Sequence, residues 1–396
     1  MKETRFKQTE IGLIPEDWKI ISLEEIGDPK MCKRILKHQT FIKGDIPFYK
    51  IGTFGGKADA YISKSLYEYY KKKFSFPQKG DVLISAAGTI GRLVIYQGED
   101  AYYQDSNIVW IDNKEEKLLN QYLYYTLKNT SWDTSQGNSI QRLYNASLKA
   151  KQIIIPLSIN EQKKIASALT SIDNLLLSLD KLIEKKRLIK QGAMQELLTG
   201  KKRLPGFAGE WVEKKLGEGL RFKPGFPFNS NFFDERMGIR LIRNRDLKAD
   251  DQITYFYGNI NKDFIIENGD LLIGMDGDFM PCLWNKGKAL LNQRVGKIEL
   301  ISNNWCLMYL FYALQEPLKA KQEKTGATTV KHLSHSDIEQ MRLKMPSTSI
   351  EQKVIGKILS SMDKGIESLE GKKAKYEQIK QGMMQQLLTG KIRLIS

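Results

Sequence analysis

Few residues in this chain are of types and spacings that support catalysis. Pro281-Cys282 has the makeup of the Pro-Cys nucleophile used for methyl transfer to cytosine. It sits in Gly277-Asp-Phe-Met-Pro-Cys-Leu-Trp284 with no cofactor-binding glycine loop beside it, so it reads as a packed structural thiol. His332 and His335 are three apart and could share a helical face, but no nearby cysteine completes a metal set. Solvent or phosphate contact is the better reading of both. Asp17-Trp18-Lys19 is only a fragment of a carboxylate-and-lysine nuclease site, and Trp18 reads more naturally as an anchor where a domain begins. None of the 11 prolines adjoins another, which excludes the Asn/Asp-Pro-Pro-aromatic motif that holds a flipped base for amino methylation. No Gly-x-x-x-x-Gly-Lys-[Ser/Thr] phosphate loop occurs either. Cys32, Cys282 and Cys306 lack the pairing and spacing of disulfides or zinc ligands. The catalytic readings all lack partner residues.

Charge offers more. The chain has 396 residues, with 62 Lys+Arg against 46 Asp+Glu, a formal net charge of +16. An excess of that size favours a polyanion, through phosphate contacts and counterion release. Candidate contacts to DNA can be ranked by side-chain chemistry. Asn138, Ser139, Gln141 and Arg142 lie in the polar loop Gln136–Arg142, and Asn, Gln and Arg make bidentate contacts with base edges. Lys71 and Lys72, beside Tyr67, Tyr69 and Tyr70, suit phosphates, which position without specifying. Arg240, Arg243, Asn244 and Arg245 form a basic strand-to-turn segment. Thr328, Thr329 and Lys331 belong to the loop Gly326–Lys331, the counterpart of the first polar loop. Each of these also has a bland reading as a solvated side chain.

An internal repeat organises the elements that must position these residues. Pro156-Leu-Ser-Ile-Asn-Glu161-Gln162-Lys163 returns 190 residues later as Pro346-Ser-Thr-Ser-Ile-Glu351-Gln352-Lys353. The similarity runs on to Ile189-Lys-Gln-Gly-Ala-Met-Gln-Glu-Leu-Leu-Thr-Gly200 and Ile379-Lys-Gln-Gly-Met-Met-Gln-Gln-Leu-Leu-Thr-Gly390. Apolar residues alternate at intervals of four and three along Ile165, Leu169, Ile172, Leu176, Leu179 and Ile183, and again along Ile355, Leu359, Met362, Ile366 and Leu369. That 3.5-residue period makes a narrow coiled-coil seam. Gly200 and Gly390 are placed to cap the two helices, and Pro205 stops the first from continuing. A helix from Asn160 to Leu198 would be roughly 55–60 Å long, and its matching partner is the other copy.

Weaker similarity extends upstream of each helix. Gly80-Asp81-Val82-Leu83-Ile84-Ser85 matches Gly269-Asp270-Leu271-Leu272-Ile273-Gly274, each a turn into a buried strand. The expected fold is α+β: two recognition domains separated by two long helices, paired as an antiparallel coiled coil with pseudo-two-fold symmetry. The boundaries fall at 1–155 and 201–345 for the domains, and at 156–200 and 346–396 for the helical regions. Helices are expected at 118–128 and 305–322. If the long helices run antiparallel, the halves face duplex DNA as two half-sites, and their divergence implies a split, asymmetric target.

The pattern Pro156…Glu161-Gln162…Asp173…Lys190-Gln191-Gly192…Met194-Gln195…Leu197-Leu198-Thr199-Gly200, repeated from Pro346 to Gly390, resembles the conserved helical regions of Type I restriction-modification specificity subunits. The globular halves resemble that family's target-recognition domains. The resemblance implies a non-catalytic subunit that binds double-stranded DNA. It also implies two modification subunits docked on the helical regions, bringing S-adenosylmethionine-dependent N6-adenine methylation. Restriction subunits using ATP and Mg would add cleavage, so no cofactor is expected on this chain. With no signal-peptide-like start and no long apolar run, a cytoplasmic location and no membrane partner are expected. A second reading is a non-catalytic scaffold or antirestriction-like decoy that binds modification subunits without directing them to DNA. A self-contained methyltransferase-nuclease is disfavoured by the missing motifs.

Overall fold

The computed structural model describes residues 5–132, 142–324 and 332–395. The candidates Asn138, Ser139, Gln141, Thr328, Thr329 and Lys331 lie outside them. The chain divides into two compact units, Met1–Asp180 with Lys372–Ser396, and Lys181–Gly371. Each unit therefore contains a globular domain and a length of both long helices.

In the first unit a two-stranded ribbon joins the start of the domain to its end. Trp18–Ser22 runs antiparallel to Gln152–Pro156, with Trp18 opposite Pro156. Ile153 and Ile155 alternate inward along it, as a strand's two-residue period requires. The second unit repeats the ribbon with Trp211–Lys215 against Arg342–Pro346, Trp211 opposite Pro346.

A four-stranded antiparallel sheet forms the centre of each domain. Its order is Pro29–Lys30, Ile108–Ile111, Val82–Ser85, Leu93–Ile95 in the first unit, and Leu220–Pro224, Val295–Leu300, Leu271–Gly274, Pro281–Leu283 in the second. The unbroken apolar run Val82-Leu83-Ile84 serves two cores at once. Val82 and Ile84 face the core that reaches the long helices, and Leu83 faces an aromatic core with Trp110, Tyr102 and Phe48. Leu271 and Ile273 against Leu272 divide in the same way. Beyond this second core the domains differ. The first carries a three-stranded sheet and the helix Lys64–Lys73, and the second carries a five-stranded sheet.

The long helices run Ile159–Leu197 and Ser349–Leu387, 39 residues each. Gly200 and Gly390 follow them at φ +72° and +69°, a backbone that L side chains rarely adopt. In the first unit Lys380 pairs with Asp173, and Lys373 pairs with Asp180 at 2.6 Å. One helix advances seven residues while the other retreats seven, so the pairing is antiparallel. The second unit has the same sense, with Lys190 on Asp363 at 2.5 Å and Arg187 on Glu370. Ile165 and Leu169 are fully buried against the domain core together with Leu387 and Leu388. Ile355 and Leu359 do the same with Leu197. Ile172 and Leu179 in the first unit and Ile183 and Ile366 in the second stay buried further along. Leu176, Met362 and Leu369 are half-buried. The seam thus serves the domain core at each helix start and the opposite helix beyond it.

Two local expectations are corrected. The helix expected at 305–322 is broken into Leu307–Ala313 and Gln315–Lys324. Pro317 has no N–H to offer the carbonyl of Ala313, and its ring crowds that turn. His332 and His335 do not share a helical face. His335 starts the short helix His335–Glu339, whereas His332 precedes it and bridges to Asp276.

Candidate nucleic-acid interface

Arg142 and Leu143 in the first unit, and His332 and Leu333 in the second, are anchored beside the central sheet. In the first unit the backbone of Arg142 bridges Ala87, Leu143 N–H donates to the Ala86 carbonyl at 2.8 Å, and Ala86 N–H donates to the Asn107 carbonyl at 2.7 Å. In the second unit His332 bridges Asp276, Leu333 N–H donates to the Met275 carbonyl at 2.8 Å, and Met275 N–H donates to the Arg294 carbonyl at 2.9 Å. Leu143 and Leu333 are buried in the helix-facing cores, while Arg142 and His332 are exposed. The sequence signal for this match is the 190-residue offset itself, carried past the helices into the domains.

The surroundings are polar and mostly basic. Arg142 Nη2 donates to the Ser106 carbonyl at 3.3 Å, and Arg34 Nε pairs with Asp105 at 2.7 Å. A groove of about 430 Å³ beside them is lined by Arg34, Lys37, Lys50, Gln104 and Asn107. In the second unit Asp276 receives His332 Nδ1 at 2.8 Å and Arg294 Nε at 3.1 Å. Asn244 donates its amide to the Asp276 carbonyl oxygen, and its own Oδ1 is buried without a partner among the described residues. Sequence reasoning missed Arg34, Asp276 and Arg294, whose partners Asp105, His332 and Asp276 lie 71, 56 and 18 residues away along the chain.

The other candidates differ in how far the fold already engages them. Lys71 sits in the last turn of Lys64–Lys73 and donates to Tyr67 Oη at 2.8 Å, over the rings of Tyr67 and Phe76. Lys72 is exposed and has no ionic or hydrogen-bonding partner among the described residues. The three lysines of that turn also suit the negative end of the helix dipole. Arg240 pairs with Asp250 and lies 5.0 Å over the Trp284 ring, so its guanidinium is largely covered. Burial pushes the Asp250 carboxyl up, but Arg240 and Lys286 outweigh it and hold it below the usual range. Arg243 is half-buried against Asp246, and Arg245 is the most exposed of this group. The cluster Arg240, Arg243, Asn244, Arg245 thus divides into two anchored arginines, an amide wedged at the loop return, and one outward arginine.

The Glu-Gln pair of the repeat has a structural role. Gln162 is fully buried, accepting from Leu119 N–H at 2.9 Å and donating to the carbonyls of Lys117 and Pro156, both at 2.9 Å. Gln352 does the same with Cys306 N–H at 3.0 Å, Asn304 and Pro346. Glu161 accepts from Trp18 Nε1 and from Arg393, and Glu351 from Trp211 Nε1 and Arg203. Arg203 and Arg393 extend the repeat three residues past its glycines, a match visible in the sequence and not drawn from it. Asp17-Trp18-Lys19 is therefore part of this joint: Asp17 binds Arg393, which holds its carboxyl below the usual range, and Trp18 is fully buried. Burial raises the Cys282 thiol, in keeping with a packed residue. Among the described residues no cluster of His, Cys, Asp and Glu is arranged to hold a metal ion, and no helix is long and apolar enough to cross a membrane.

Comparison with known proteins agrees with this duplicated plan. The chain is 53% identical over 174 residues to a putative type I restriction enzyme specificity subunit of Haemophilus influenzae, a match spanning 44% of this chain and 45% of that protein. It is 28% identical over 432 aligned residues to a putative type I restriction enzyme specificity subunit of Methanocaldococcus jannaschii, covering 99% of this chain and 98% of that one. The crystal structure of the Type-I restriction-modification S subunit from M. genitalium shares the fold at a TM-score of 0.64 and 18% identity, over 97% of this chain and 98% of that one. The model of the Type I restriction modification DNA specificity domain matches twice, at residues 15–190 and 208–378. With most of its length in two copies of that domain, the chain belongs to the Type I restriction modification DNA specificity family.

Proposed function

We propose that this chain selects the DNA target of a Type I restriction-modification complex. The observation that carries the reading is the duplicated loop return: one sheet position, held by the same backbone bonds, presents Arg142 in one domain and His332 in the other. Two domains that share a frame but differ in exposed chemistry suit a split, asymmetric target. Arg142, Asn138, Ser139 and Gln141 in the first domain, and Arg245, Thr328, Thr329 and Lys331 in the second, are the proposed contacts; Asn244 is not among them, because its amide is bonded to the Asp276 carbonyl and its Oδ1 is buried. Lys71 and Lys72 contribute phosphate contact, and Arg240 and Arg243 shape the surface beside them.

Modification subunits dock on the helical regions in this reading, two per chain, and restriction subunits join them. A groove of about 1430 Å³ in the second unit, floored by Met194, Leu198, Leu343 and Ile366 and edged by Arg187, Lys201 and Glu367, is one surface suited to such a partner. Methyl transfer with S-adenosylmethionine and cleavage with ATP and Mg belong to those partners, and the complex works in the cytoplasm.

The test is methylome sequencing of a host without other methyltransferases, expressing this chain with its neighbouring modification subunit. A new N6-methyladenine mark in a split, asymmetric motif is expected. A stable complex that leaves no new mark would overturn the reading in favour of the scaffold or decoy.

A further inference from the structure

We infer that His332, seated by Asp276 and Arg294, reads a base edge and sets the specificity of the second domain at the position Arg142 holds in the first. The inference rests on the target-selection reading above and adds a residue to it. His332 and Arg142 are 190 residues apart and make the equivalent bridge in their own domains, Arg142 to Ala87 and His332 to Asp276, each the residue before a buried leucine. The leucine is common to both copies, and the exposed residue before it differs. Packing does not choose between histidine and arginine there.

The imidazole is held by one nitrogen. Its Nδ1 lies 2.8 Å from Asp276 Oδ1, while Asp276 Oδ2 is tied to Arg294 Nε at 3.1 Å. The Asp276 backbone is fixed in turn by the Asn244 amide. Nε2 makes no hydrogen bond among the described residues, and the side chain is 47% exposed. A contact this exposed contributes little to stability. What it does is orient: a ring clamped at Nδ1 presents Nε2 in a defined direction. Imidazole nitrogens make single hydrogen bonds with the acceptors or amino groups that line the major groove. Arg142, the longer bidentate donor, suits a guanine edge at the corresponding place in the other half-site. Asp276 and Arg294 are positioning residues in this scheme.

The test uses the full chain co-expressed with its modification subunit in the host described above, with His332→Ala, His332→Gln and Asp276→Asn. Both His332 variants should still direct methylation, with discrimination at one base pair of one half-site falling about tenfold, the scale of one good base contact. The other half-site should be unchanged. Asp276→Asn should relax the same base pair to a smaller degree. The same motif at the same stringency in both His332 variants would overturn the inference. So would a uniform loss of methylation over all sites from a folded chain, which marks a phosphate contact. If His332→Ala melts early, His332→Gln alone decides. The wild-type arm tests the reading beneath: only a host in which the wild type writes a split mark bears on His332.

Discussion

Arg393 and Glu161, 232 residues apart in the chain, meet in the first unit as a two-point ion pair, Nε to Oε1 at 2.7 Å and Nη2 to Oε2 at 2.8 Å. Both side chains are nearly inaccessible, at 7% and 2% exposed. Arg393 also grips Asp17 and lies over the Trp18 ring. The segment after the second long helix is thereby bonded to the residue that leads into the strand Trp18–Ser22 and to the start of the first helix. The hydrogen bond to Glu161 raises the Arg393 guanidinium further above its ordinary range.

Breaking one side of this pair leaves a buried charge unmatched, at a cost of about 3–5 kcal/mol. Arg393→Ala should lower the urea midpoint of the chain clearly, and Arg393→Lys should recover only part, because an ammonium cannot make the bidentate contact. Arg203, the counterpart on Glu351, is 29% exposed, so Arg203→Ala should cost less. Equal losses in the two alanine variants would contradict this ranking.

Acid should act on a capping carboxylate. Burial raises the Asp337 carboxyl, but its bonds to Lys321 and to Ser334 at the start of its helix outweigh that and bring it to about 2. In the unfolded chain an Asp titrates near ~3.9. A depressed folded value means the stabilisation is present above about 4 and is lost as the pH falls toward about 2. Urea melts of the wild type and Asp337→Asn should therefore converge between those limits. A constant gap down to the lower limit would exclude the carboxylate as its source.

The two helix-ending glycines should differ in tolerance. A methyl group at Gly390 would lie 2.4 Å from Pro15 Cγ, whereas at Gly200 it would meet the Trp211 ring at 3.0 Å. Both positions also carry the left-handed strain of about 1–2 kcal/mol. Thermal melting should show Gly390→Ala as the more damaging change, with Gly200→Ala near the strain cost alone.

Helix pairing can be read by a charge swap. Asp173 takes Lys380 and Tyr125 Oη, as Asp363 takes Lys190 and Tyr312 Oη. Asp173→Lys and Lys380→Asp should each destabilise, and the double variant should regain part of the loss, with a coupling on the order of 0.5–1 kcal/mol. Strict additivity would place the two side chains out of contact.

DNA binding by the assembled complex should separate two kinds of contact. Lys72→Ala should weaken binding uniformly across sequences and lower the salt slope by about 1. Arg142→Ala should relax preference at one base pair and leave the other half-site intact. Filter binding against a panel of site variants distinguishes them, and a sequence-dependent effect of Lys72→Ala would move it out of the phosphate class.

The long helices were legible because a 3.5-residue apolar period and the glycines at 200 and 390 are local signals, and the 190-residue offset named the partner. The central strands were legible as apolar runs, yet only packing shows that Val82 and Leu83 serve different cores. The break at Leu314 came from Pro317, a local signal that the helical pattern around it masked. The loop candidates were chosen by side-chain chemistry alone, which does not register that Arg240 is spent on Asp250 and Trp284.

The sequence by itself determined the duplication, the basic character, the helical repeat and the lack of catalytic motifs, because each is written in residues near one another or at one fixed offset. The tertiary structure alone decided which residues meet along the antiparallel helices, that Glu161 pairs with an arginine 232 residues away, and that His332 makes in its domain the bridge Arg142 makes in the other. Those relations depend on which groups a folded sheet and two paired helices bring within hydrogen-bonding distance. Hydrogen bonds and ion pairs act over a few ångströms of space, whatever the separation along the chain.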